Sequence, residues 1–134
     1  MIFKNIVWKI NNKKYKLYNL FYYIKMSKDL KFEDIKEEVR GLTEDILKSH
    51  LDGEYVESDQ KQKLSETLNE INQKLHQTYP GYKFIVSGTS FKKGQSGLNY
   101  ASSCFWNPNA DGSVMVRYEN EFQNAFVTVA GVTD

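Results

Sequence analysis

A chain of 134 residues, 40% hydrophobic and 26% charged, has room for one modest core and is too polar for a membrane-spanning bundle. Its single cysteine excludes an internal disulfide framework, and two separated histidines beside it offer no metal-ligand spacing. The net charge of +1 hides a division: residues 1–25 carry +6 and residues 26–134 carry −5, so the body is mildly acidic and nucleic acid is excluded as its main partner.

The first segment, "MIFKNIVWKINNKKYKLYNLFYYIK", draws 21 of its 25 residues from Phe, Tyr, Met, Ile, Asn and Lys, whose codons all begin with two A or T bases. Met26 follows directly. We therefore expect residues 1–25 to be an extension that is disordered or a gene-model artefact, and the domain to span 26–134. Two other readings compete: a lysine- and aromatic-rich anchor at a lipid surface, and a transit peptide. The apolar positions keep no single helical face, no stretch approaches the length of a membrane span, and the Arg and Ser of a transit peptide are missing. No secretory signal with a cleavage site is visible, so a reducing cytosol is the expected compartment.

From Phe32 the apolar residues fall at Ile35, Val39, Leu42 and Ile46, with charges filling most of the gaps. That spacing predicts an amphipathic helix from near Leu30 to before Asp52-Gly53, with acids crowding its first turns where the helix dipole favours them. The stretch "DGEYVESD" reads as a loop, with Ser58 or Asp59 as cap of a second helix. Leu64, Leu68, Ile71 and Leu75 form that helix's stripe, and Pro80-Gly81 stop it. A short loop between them predicts an antiparallel pair offering one apolar face to a common surface.

After Gly81 the period changes to two. Strands are expected over "YKFIVSGTSFKK" (82–93), "LNYASSCFW" (98–106), "SVMVRYEN" (113–120) and "FQNAFVTVAGV" (122–132), joined by "KKGQSG" and "NPNADG" turns. The fold class is thus α+β: two N-terminal helices on one face of a four-stranded antiparallel sheet.

No catalytic signature survives inspection. Cys104 as a nucleophile needs a base, and His50 and His76 both fall on predicted helices, with no glycine elbow or helix N-terminus to lower the thiol pKa. A small, semi-polar strand residue explains Cys104 without catalysis. "GTSFKKGQSG" (88–97) has five residues between Gly88 and Gly94, places Gln95 where a phosphate loop needs Lys, and precedes a strand. The acids Glu33, Asp34, Glu37 and Glu38 read as a solvated helix face. The second strand is the odd one, because Asn99, Ser102 and Ser103 are polar and Ala101 is small, while Phe105-Trp106 is heavy. A strand so weakly apolar across its middle suits an edge, where an extended peptide can add.

"ASSCFWNPNADGSVMVRYEN" resembles the signature of the Tctex-type dynein light chains: Ala101 to Trp106, the Asp111-Gly112 turn, then Val116 to Asn120. "YKFIV" (82–86) and "KGQSGL" (93–98) resemble that family's first strand and following turn. The resemblance covers roughly residues 30–132 and is specific mainly over 82–130. It implies a homodimer in which one strand crosses to complete the partner's sheet, by position Leu98 to Trp106. It also implies binding of an extended dynein intermediate chain segment beside that strand, with a cargo-adaptor role in some settings. The implied peptide-binding and dimer strand comprises Leu98, Asn99, Tyr100, Ala101, Ser102, Ser103, Cys104, Phe105 and Trp106. Asn99, Ala101, Ser103 and Phe105 are taken as groove-lining, and Tyr100, Ser102, Cys104 and Trp106 as facing inward or toward the partner, although pleat register permits the reverse.

The chain departs from the family pattern in the proline of "NPNAD", in Ala130 where Phe commonly precedes the glycine, and in a longer exit from the second helix. The implied function is non-enzymatic, with no cofactor, no nucleic acid and no membrane partner, in the cytoplasm on the microtubule cytoskeleton or in the axoneme. The alternative within binding proteins is a dynein-independent adaptor using the same groove. A cysteine-dependent enzyme and a membrane-tethered form are the other readings.

Overall fold

The computed structural model describes residues 30–94 and 98–133. The expectations for residues 1–25, and for a domain start at Met26, lie outside the described residues. Two helices, α1 (Phe32–Leu51) and α2 (Glu57–Thr78), precede three strands, β1 (Lys83–Lys92), β2 (Gly112–Glu119) and β3 (Gln123–Val132). The strands form one antiparallel sheet in the order β1-β3-β2.

Helix α1 begins where the Asp34 carboxylate accepts the Lys31 amide at 3.2 Å, satisfying one of the donors a helix start leaves over. Its buried stripe is Phe32, Ile35, Val39, Thr43, Ile46, Leu47 and Leu51. Leu42, expected in that stripe, is only half-buried, and Thr43 beside it is fully buried. Thr43 is tolerated there because its hydroxyl donates to the Val39 carbonyl at 2.7 Å, so no polar group is stranded. Helix α2 is preceded by Val56, whose side chain makes no cap, so Ser58 and Asp59 lie inside its first turn rather than capping it. Ile71 and Leu75 are buried as their spacing requires, Leu64 and Leu68 are half-buried, and Thr67 joins the core with its hydroxyl on the Lys63 carbonyl at 2.6 Å. The helix closes with the Tyr79 amide on the Leu75 carbonyl at 2.8 Å, immediately before Pro80.

Both helices pack on the same face of the sheet, α1 over β2 and α2 over β1. The alternation of β2 and β3 turns Val114, Val116, Ala125, Val127 and Val129 into that layer, all buried. Between the helices, His50 pairs with Glu70 and the Tyr79 hydroxyl donates to Glu38.

The expected fourth strand, Leu98–Trp106, forms no strand in the single chain, and among the described residues the sheet has three strands.

Candidate functional site

Among the described residues the sheet has two edges without a neighbouring strand, β1 and β2, and the hydrogen bonds of the β2–β3 turn establish which backbone groups each presents. The Asn120 amide donates to the Gln123 carbonyl at 3.0 Å, so residues 120 and 123 face one another. Antiparallel ladders alternate, so Tyr118, Val116, Val114 and Gly112 also point at β3. Ser113, Met115, Arg117 and Glu119 therefore direct their amides and carbonyls away from the sheet, along the open side of β2. By the same parity, through Lys93 donating to the Phe122 carbonyl at 2.8 Å, the even-numbered residues of β1 face outward.

Among the described residues, the face of the sheet opposite the helices is covered only in part, by Leu98 and Tyr100. It carries Ile85, 62% exposed, with Met115 at 45%, and the half-buried Phe126, which stacks on Phe91 at 6.0 Å. Arg117 lies over Phe126 with its guanidinium carbon 5.8 Å from the ring centroid. Leu98 and Tyr100 cross this face and, with Ser87, Gly88, Thr89, Met115, Phe126 and Thr128, enclose a cavity of 310 Å³.

Beyond Tyr100 the segment leaves the sheet as an arm. Leu98, Asn99, Tyr100, Ala101, Ser102, Ser103, Cys104 and Phe105 are all exposed, and only Trp106 is half-buried. Phe105 is more exposed than a free reference residue, at 107%. Both alternating sets therefore stand in solvent in the single chain, and neither is selected as the inward one. Cys104 is a free, exposed thiol, and His50 is engaged with Glu70 on the helical layer. Among the described residues no three His, Cys, Asp or Glu side chains gather as a metal site.

The arm is anchored where it joins β2. Asp111 accepts the Thr133 amide at 2.8 Å and its hydroxyl at 3.0 Å on one oxygen, and the Asn107 amide at 2.9 Å on the other. Those hydrogen bonds, the Thr133 amide foremost, hold the carboxyl below its ordinary range. Asn107 folds the turn further by accepting the Asn109 amide on its side chain and those of Ala110 and Asp111 on its carbonyl. Pro108 sits in this turn and fits it. The arm thus departs from a fixed point at the start of β2's open edge.

A model of the Tctex-1 family matches residues 34–132, from the first turn of α1 to the last residue of β3. The chain belongs to the Tctex-1 family. A Drosophila melanogaster protein named dynein light chain Tctex-type is 45% identical over 51 residues, which are 38% of this chain and 46% of that protein. Human dynein light chain Tctex-type 3 is 30% identical over 97 residues, 72% of this chain and 84% of the relative, and the mouse protein of that name is 30% identical over 92 residues, covering 65% and 79%. Tctex-type light chains are generally non-catalytic. Among the described residues no helix is long and apolar enough to cross a membrane.

Three contributors to this site were not anticipated from sequence. Met115 and Phe126 lie in strands whose alternation was legible, but their place on the face opposite the helices depends on where the helices pack. Arg40, on α1, donates to the Met115 carbonyl at 3.3 Å across 75 positions of sequence, and nothing local signals such a contact.

Proposed function

We propose that this chain is a light chain of a dynein motor, working as a homodimer that holds extended segments of the dynein intermediate chain. The arm Leu98–Trp106 of each protomer pairs along the open side of the partner's β2, against the outward groups of Ser113, Met115, Arg117 and Glu119. The partly covered sheet faces, with Ile85, Met115 and Phe126, meet across the seam and exclude water there. Each exchanged arm then becomes an edge itself, and an intermediate chain segment adds beside it by main-chain hydrogen bonds. The observation that carries this reading is an arm with no strand partner among the described residues of its own chain, tethered beside an open strand edge. The relatives' names support the motor assignment, and a cytoplasmic, microtubule-associated location follows from it.

Two grooves per dimer matter energetically. Once one segment docks, the second binds at a high local concentration, which can raise avidity roughly 10²–10⁴-fold without any new contact. Each site can therefore be weak alone. Cargo binding would use the same groove.

The test is sedimentation equilibrium of the full chain, followed by fluorescence-anisotropy titration with overlapping peptides from the same organism's dynein intermediate chain. A dimer that binds one short segment saturably, at one peptide per protomer, is the expected result. A dimer that binds none of them, even as bivalent peptides, would replace the motor assignment with an adaptor for another client. A monomer at all concentrations would end the exchange mechanism.

A further inference from the structure

The open side of β2 is not bare. Arg40 projects from α1, and its Nη1 donates to the Met115 carbonyl at 3.3 Å. Met115 is one of the four residues whose backbone groups face outward, and it lies between Ser113 and Arg117 along that edge. A strand adding there would run about 4.8 Å from β2 and bring its own amide to within about 2.9 Å of the same carbonyl. The guanidinium occupies that volume. Glu37, one helical turn back, helps hold it: its Oε2 lies 3.6 Å from Arg40 Nε.

The geometry points to Arg40 as a gate on the β2 edge, which the arm of a second copy must displace before it can pair. This rests on the exchange mechanism proposed above and adds its regulation. Charged side chains over exposed strands are a general means of discouraging indiscriminate pairing. Here the guard is a long side chain borrowed from the helical layer, added to the charges that β2 itself carries at Arg117 and Glu119. An incoming strand has to replace a charge-assisted hydrogen bond as well as order itself, and a segment able to make only one or two backbone bonds gains too little to do so. Arg40 thereby favours a full-length, correctly registered arm over accidental partners. Among the described residues no corresponding side-chain contact covers the outward groups at the centre of β1, so the guard is particular to the edge assigned to exchange.

The experiment compares wild type, Arg40→Ala and Arg40→Lys in the full chain. Dimer dissociation constants come from sedimentation equilibrium, and exchange rates from mixing two fluorescently labelled populations. Circular dichroism melts check that each variant is folded. Removing the guanidinium is expected to tighten the dimer roughly 3–10-fold, the scale of one solvent-accessible charge-assisted hydrogen bond no longer given up, while exchange between preformed dimers, which dissociation limits, should be no faster than in wild type. Arg40→Lys, which keeps a cationic donor, should stay within about twofold of wild type. If wild type is monomeric but Arg40→Ala self-associates, the gate stands while the constitutive dimer does not. If both dimerise with equal constants, or if Arg40→Ala dimerises more weakly, the gate is overturned and the exchange mechanism is untouched. If both are monomeric, gate and exchange fall together.

Discussion

The ring of Phe32 lies on the backbone of Gly131 so closely that a Cβ there would stand 2.7 Å from its Cδ2 atom. The same ring covers Gly112, the register partner of Gly131 on β2, where a Cβ would meet Cδ1 at 2.6 Å. The first residue of α1 is thereby seated on a two-glycine floor at the end of the sheet, edge-on to Tyr82. This contact fixes how α1 lies over β2, and hence where Arg40 reaches the open edge.

Gly131→Ala should therefore destabilise the fold by about 1–3 kcal/mol, the usual range for overpacking a filled core. Phe32→Ala alone should cost about 3–5 kcal/mol through lost burial and the cavity left behind. In the double variant the alanine methyl enters space the ring has vacated, so the combined cost should fall clearly below the sum. Urea denaturation of the four proteins measures this, and strict additivity would mean that the ring moves aside freely.

Acid should loosen the anchor of the arm. Three hydrogen bonds to Asp111 lower its carboxyl pKa in the folded state, led by the Thr133 amide. A depressed folded pKa gives stability that is complete above the unfolded value of about 3.9 and is lost as pH falls through the folded one. Asp111→Asn should be less stable than wild type at pH 7, and the gap should narrow as pH falls below the unfolded value of about 3.9, as Asp111 in the unfolded and then the folded chain takes up its proton. Denaturation midpoints of both proteins across this range supply the comparison. A gap independent of pH would show that the carboxylate's charge contributes nothing.

Alkali acts through two tyrosines near the same end of the sheet. Burial first, then Glu38, pushes the Tyr79 hydroxyl well above its ordinary range, and burial with Asp111 and Asp34 nearby raises Tyr82 to about 12. A phenol with a raised folded pKa contributes stability that is full below the unfolded value of about 10 and disappears as pH rises through the folded one. Stability should start to fall above about pH 10, and Tyr79→Phe should reduce that dependence while costing about 1 kcal/mol at neutral pH for its bond to Glu38. Absorbance titration at alkaline pH should show two tyrosines ionising only as the protein unfolds. Normal titration of every tyrosine in the native state would contradict this.

How much of this was legible in the sequence differs from element to element. The steps of three and four from Phe32 to Ile46, and the change to period two after Gly81, reflect burial of one face, and both helices and three of the four expected strands formed within a few residues of where they were placed. Thr43 and Thr67 could not be read as core, because their hydroxyls are satisfied by carbonyls four residues back, a pairing that leaves no compositional trace. Leu98–Trp106 has strand-forming residues, but propensity does not say which chain supplies the neighbouring strand. Its weak middle reads as an edge, and in the single chain the segment forms no strand. The resemblance of "ASSCFWNPNADGSVMVRYEN" led to the family, and the family match agrees. Arg40 on the Met115 carbonyl was invisible, since it depends on how far α1 overhangs β2.

A buried amide pair joins the helical layer to the start of β3, and its removal makes the last prediction. Gln123 is fully buried. Its Nε2 donates to the Leu51 carbonyl at 3.0 Å, and its Oε1 accepts from Gln60 Nε2 at 2.8 Å. The end of α1, the first turn of α2 and β3 thus meet at one side chain. Gln123→Leu keeps most of the volume but deprives Gln60 of an acceptor, and should cost about 1–3 kcal/mol, the penalty for orphaning a buried polar group. The loss is limited, because Asn120 Nδ2 still serves the Leu51 carbonyl at 2.9 Å and Ser90 still accepts from Gln60 at 2.8 Å. Gln60→Leu should cost a similar amount. The double variant leaves neither amide facing an apolar neighbour, so it should be more stable than the sum of the single losses allows. Such a positive coupling in a urea-denaturation cycle would mark the pair as one polar unit, whereas additive losses would mean that each glutamine acts through its own separate contacts.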